Sequence, residues 1–172
     1  MMNRFRKILV FGATGLTGRG LQAIAPQWPD REFIWLGSRD CNLTDAQAVL
    51  HCVGHHRPDA IMNLAAVSGG VGFSRSKPAT MLRDNVLMNL HLLEAARLLG
   101  VPKSLHMLSV GMYPPSAPLP LRESCLHDGP AHESNYSYAY AKRLIEPAIS
   151  AYRAEYGLNV VGVVPNGILA RT

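Results

Sequence analysis

The stretch KILVFGATGLTG, residues 7–18, passes from an apolar run through a glycine-rich turn into a segment with apolar residues at helical spacing. That junction constrains the fold more than any other part of the chain. A short run that is apolar on both faces is a buried strand, and a strand feeding directly into a helix is the first unit of a parallel sheet. Gly12 permits the tight turn, Gly15 lets a ligand approach the backbone, and Gly18 lets the helix pack on the sheet. The first helical amides then face an anion. Gly12, Ala13, Thr14, Gly15, Leu16, Thr17 and Gly18 are therefore the candidate pyrophosphate turn of a dinucleotide site.

The rest of the chain repeats the alternation. GLTGRGLQAIA is read as a helix stopping at Pro26, EFIWLG as a second strand, and LTDAQAVLHCVG as a helix capped by Thr44. DAIMNLAAV is a third strand. A long helix is expected from Ala79 to Leu99, closed by Gly100 with Pro102 beyond it. KSLHMLSVG is a fourth strand, NYSYAYAKR lies in a helix, and LNVVGVVP is a fifth strand. This order predicts a Rossmann-type, doubly wound α/β fold. Its five parallel strands are expected in the order 3-2-1-4-5, with helices on both faces. The chain, 172 residues, fits one dinucleotide-binding domain over 1–172. The proline-rich stretch at 113–134 is long for a loop, and long loops in compact domains are usually functional.

Charge and cysteine content narrow the function. The net charge of +5 comes from scattered basic residues, which suits an anionic nucleotide and not a nucleic-acid track. No apolar run is long enough for a membrane span, and the apolar part of the opening is too short for a signal peptide, so a cytoplasmic protein is expected. Cys41, Cys52 and Cys125 show no CxxC spacing and are expected to be reduced thiols. His51, Cys52, His55 and His56 read as a polar helix end; no metal site is expected.

At the end of the second strand stands LGSRD. Ser38 and Arg39 occupy the place where a 2′-phosphate would sit, which favours NADP; Asp40 keeps NAD open, since a carboxylate there suits a free ribose hydroxyl. In NYSYAYAKR three tyrosines alternate. Residues four apart share a helical face, so Lys142 stands with Tyr138, while Tyr136 and Tyr140 pair on another face. The lysine is expected to lower the Tyr138 pKa and make it a proton donor to a carbonyl, with Ser109 bonding the same oxygen.

These features together resemble the short-chain dehydrogenase/reductase superfamily. NLAAVSGGVG, DNVLMNLHLLEAARLLGVPK, MYP and ESCLHDGPAHESNYSYAYAKR are similar to the GDP-L-fucose synthase family in particular, over nearly the whole chain. The resemblance implies an extended-type reductase acting with NADPH on a GDP-4-keto-6-deoxy sugar. It implies Ser109, Tyr138 and Lys142 as the catalytic set, with Lys142 also on the nicotinamide ribose. It places Arg39, Asp40, Asn42 and Leu43 on the adenosine, Ala65, Ala66 and Leu108 along the cofactor, and Pro165, Asn166, Gly167 and Ile168 near the nicotinamide. A homodimer through helices near 79–99 and 135–157 is expected with it; the first of these helices is apolar almost all round. Two departures stand out. Gly111 replaces the family's acid–base cysteine, and a separate C-terminal substrate domain is expected to be absent. Two other functions fit the residues: an NAD-dependent nucleotide-sugar epimerase or dehydratase, and a non-catalytic dinucleotide-binding module.

Overall fold

The structure, a computed structural model, describes residues 5–69 and 71–167. Strands β1 (Lys7–Phe11), β2 (Glu32–Leu36), β3 (Ala60–Asn63), β4 (Lys103–Met107) and β5 (Val160–Val163) form one parallel sheet. Helices α1 (Leu16–Ile24), α2 (Ala46–His56), α4 (Pro78–Leu98) and α5 (Tyr136–Tyr156) connect them, with a short α3 (Val71–Ser76) ahead of α4. The Rossmann-type sheet expected from the alternation is the one observed.

Its strand order is β2-β1-β3-β4-β5, which corrects the expected 3-2-1-4-5. Burial explains the difference. β3 buries Ala60, Ile61 and Asn63 and needs a strand on each side, whereas β2 exposes Glu32 and half-buries Phe33, Ile34 and Trp35, as an edge strand does. β3 therefore lies between β1 and β4.

The β1–β2 and β2–β3 crossovers run in opposite directions, so right-handedness puts α1 on one face and α2, α4 and α5 on the other. Leu9, Phe11 and Ile61 pack with Val49, Val53 and Leu92 on the second face. Ile8, Val10 and Ala60 pack with Leu21 on the first. Coverage of both faces is less complete than expected. Met62, Leu105 and Val161 are register partners on the α1 side, as are Met107 and Val163; they are partly buried or, at Val163, 36% exposed, because α1 reaches only the β1–β2 end.

Asp45, not Thr44, caps α2: its Oδ1 accepts from the Gln47 and Ala48 amides at 2.9 and 3.1 Å. The Thr44 hydroxyl donates to Asn42 Oδ1 at 2.8 Å instead, because the helix starts later than the sequence pattern suggested. The phosphate-type turn is as tight as expected. Gly12 has φ +79°, and a Cβ at Gly18 would lie 2.4 Å from the Gly12 carbonyl oxygen. Gly18→Ala should cost about 1–3 kcal/mol through overpacking, less a helix-propensity gain of up to about 1 kcal/mol. Urea unfolding should show a lower midpoint with an unchanged slope.

Candidate functional site

The carboxyl ends of β1, β3, β4 and β5 open on a cleft of about 740 Å3. It sits between β1 and β3, where the crossovers diverge, the place at which parallel α/β sheets receive ligands. Gly12, Thr14, Gly15, Leu16 and Thr17 line one wall. Gly15 is the N-cap of α1; no side chain caps the helix and its first turn carries no acid. The first-turn amides are thus left to an anion. Ala13 and Gly18 are buried behind this wall and shape the turn without lining it.

Ser38, Asn42 and Leu43 continue the lining, with Ala65 and Ala66 after β3, Leu108 after β4, and Pro165 and Gly167 after β5. Arg39 and Asp40 are exposed on the rim and do not line the cleft, and neither does Asn166; Ile168 lies outside the described residues. Asp40 Oδ2 accepts from the Gly37 amide at 2.7 Å, so this carboxylate closes its own turn.

Ser109, Tyr138 and Lys142 meet on the same cleft. Ser109 caps a 3-10 turn at Val110–Met112, its Oγ accepting from the Gly111 amide at 3.2 Å. Tyr138 lies in the first turn of α5, with its hydroxyl near that of Ser109. Lys142 is 1% exposed; its Nζ donates to the Met107 carbonyl at 2.8 Å and lies 5.8 Å from the Tyr138 ring centroid. Burial lowers the Lys142 pKa to about 8. Burial also raises the Tyr138 pKa, and the nearby Ser109 hydroxyl offsets that only in part. This corrects the expectation of a lysine-lowered phenol: desolvation of the phenolate dominates, and Tyr138 stays protonated at neutral pH. Tyr136 and Tyr140 pack on each other with centroids 4.5 Å apart, and the Arg143 guanidinium lies 5.0 Å over the Tyr140 ring.

Several supporting residues escaped the sequence reading. Asn85 and Asn89 are fully buried on α4. Asn85 accepts from the Val67 amide at 3.2 Å and donates to its carbonyl at 2.8 Å, fixing the cleft segment after β3. Asn89 Oδ1 accepts from Asn63 Nδ2 and faces His106 Nδ1, both at 2.9 Å. Burial, with Lys142 adding to it, lowers the His106 pKa to about 3, so this ring is neutral. Arg143 donates to the Met112 and Gly129 carbonyls and ties the long loop to α5. The available signal was a pair of asparagines four apart in an apolar helix, and an arginine directly after the lysine. Asp84 and Cys41, also on the cleft, carried no such signal. Among the described residues no cluster of three or more His, Cys, Asp or Glu is placed to hold a metal ion.

Residues 8–170 match the NAD dependent epimerase/dehydratase family. The chain belongs to that family. Its relatives include a probable GDP-L-fucose synthase of Drosophila melanogaster, 37% identical over 95% of this chain and 51% of the relative. A solved GDP-L-fucose synthetase from Naegleria fowleri, bound to NADP, is 32% identical with a TM-score of 0.83, over 96% of this chain and 51% of that one. A GDP-mannoheptose C4 reductase from Campylobacter jejuni with NADP bound gives 25% identity and a TM-score of 0.85, over 95% of this chain and 52% of that one. The chain spans about half the length of these relatives.

Proposed function

We propose that residues 1–172 act as the NADP-binding domain of a reductase for a GDP-linked 4-keto-6-deoxy sugar. The observation that carries this reading is the convergence of Ser109, Tyr138 and Lys142 on the cleft opened by the Gly12–Gly18 turn. The names of the relatives support a GDP-linked substrate, and the NADP in two solved neighbours supports the cofactor. The residues fit a dinucleotide: uncapped α1 amides toward the pyrophosphate, Ser38 and Arg39 toward a 2′-phosphate, and Lys142 toward the nicotinamide ribose. The bound cofactor supplies a hydride to the sugar ketone. Ser109 orients the ketone oxygen, Tyr138 gives it a proton, and the Lys142 ammonium stabilises negative charge developing there.

Asp40 is engaged by Gly37, which speaks against the NAD-dependent epimerase or dehydratase alternative. Arg39→Ala should remove about 1.5–3 kcal/mol of NADPH preference over NADH, the value of a charge-assisted hydrogen bond. Titrations that give the parent protein equal affinity for both would sink the NADP reading.

Turnover of GDP-4-keto-6-deoxymannose with NADPH, in a chain extended to the length of its relatives, tests the whole proposal. Binding without turnover would favour the non-catalytic module. Because Lys142 titrates near pH 8, reduction should slow as pH rises through that value and the ammonium is lost. A flat rate to about pH 10 would remove the lysine charge from the mechanism.

A cytoplasmic homodimer belongs to the same proposal. None of the described helices is long and apolar enough to cross a membrane. α4 and α5 pack together and leave Leu82, Leu98, Tyr136 and Leu144 exposed, which supports pairing through them. Sedimentation as a monomer would contradict it.

A further inference from the structure

Two of the three cysteines lie together beside the cleft. Cys41 follows the β2 turn, is 5% exposed, and lines the cleft next to Asn42 and Leu43. Cys52 is half-buried on α2 and packs against the same apolar cluster. Cys41 Sγ lies 3.8 Å from the Ala48 carbonyl oxygen, and Ala48 is one helical turn ahead of Cys52 on the same face. Cys41 itself belongs to that cluster, so packing of the β2 turn on α2 makes the two thiols neighbours. Cys125 sits apart, in the long loop on a 3-10 turn.

We propose that Cys41 and Cys52 are a peroxide-sensitive thiol pair that closes to a disulfide at the adenosine end of the cleft. The two sulfurs have different roles. The neighbouring Cys52, then burial, then the Asp45 and Asp40 carboxylates push the Cys41 pKa up, while Cys41 draws the Cys52 pKa down. Cys52, the more exposed of the two, is the sulfur that a hydroperoxide meets first. Its sulfur attacks the O–O bond, takes one oxygen as sulfenic acid, and releases water once the departing oxygen is protonated. The Cys41 sulfur then bonds to Cys52, and the sulfenic oxygen leaves as a second water with the Cys41 proton. Two thiols and one hydrogen peroxide give one disulfide and two waters.

Closure has a mechanical consequence. A bond of about 2.05 Å replaces a looser thiol contact, so Cys41 is drawn toward α2. Asn42 and Leu43 follow it in the chain and line the cleft, so the wall moves with them. This second half rests on the cofactor reading above; the chemistry of the pair does not.

The test is made on the reduced protein, treated with hydrogen peroxide, alkylated and mapped without reduction. A linked Cys41–Cys52 peptide, two hydrogens lighter, with Cys125 recovered alkylated, is expected. Cys52 ending as sulfinic acid, or linked to Cys125, would overturn the pair. NADPH is then titrated into reduced, oxidised and re-reduced protein. Oxidation should weaken binding roughly tenfold or more, about 1.4 kcal/mol, and a thiol reductant should restore it. Equal affinity in the reduced and oxidised forms would overturn the link to the cleft. Cys52→Ser should bind NADPH like the parent and lose the response to peroxide. If the reduced protein fails to bind NADPH, the cofactor reading and the link to the cleft both fall, and the peptide map still decides the pair.

Discussion

Tyr138→Phe, in a chain extended to the length of its relatives, should lower reductase turnover by roughly 10²–10⁴-fold, the usual worth of a general acid. NADPH affinity should stay nearly unchanged, because phenylalanine keeps the ring and removes only the transferable proton. The structure strengthens the case for this residue in an unexpected way. Burial raises the Tyr138 pKa, so in the proposed reaction the phenol starts protonated, as a general acid must. In that proposal Lys142 contributes its charge in the cleft and does not activate the phenol in advance. Tyr136→Phe and Tyr140→Phe should do little, since these rings pack on one another and under Arg143. If Tyr140→Phe were the crippling change, the assignment by helical face would be wrong.

Epimerisation at C3 or C5 of the sugar should lag ketone reduction by a comparable factor, roughly 10²–10⁴-fold. Gly111 has no side chain to take or give a proton, and it stands next to Ser109, where the resemblance places the family's cysteine. The position is open. A Cβ built there meets Ser109 Oγ at 3.5 Å, an ordinary contact, so Gly111→Cys should be accommodated. Incubating a GDP-4-keto-6-deoxy sugar in heavy water should give little label at C3 and C5 with the parent and faster labelling with Gly111→Cys. Rapid labelling by the parent would mean that another residue is the base. The 172 residues by themselves should bind NADP, because the glycine turn and Lys142 lie on one cleft within them.

The sequence by itself determined what depends on neighbours along the chain. A strand, a glycine turn and a helix in succession specify the phosphate-type turn, because φ freedom at Gly12 and the lack of a Cβ at Gly18 are local needs. Four-residue spacing put Tyr138 and Lys142 on one helical face, which holds for any α-helix. The tertiary structure alone decided what depends on distant neighbours. Strand order followed from which strand could be buried on both sides, and local pattern does not report that. Asn85 turned to the segment after β3, because the Val67 amide was within reach only once the chain had folded. The Tyr138 pKa moved opposite to expectation because loss of water around a phenolate is the larger effect, and the Ser109 hydroxyl offsets it only in part. Cys41 and Cys52 show no motif along the chain; packing of the β2 turn against α2 brings them together. Spacing fixes which residues share a face, and desolvation by the rest of the fold fixes what those residues can do.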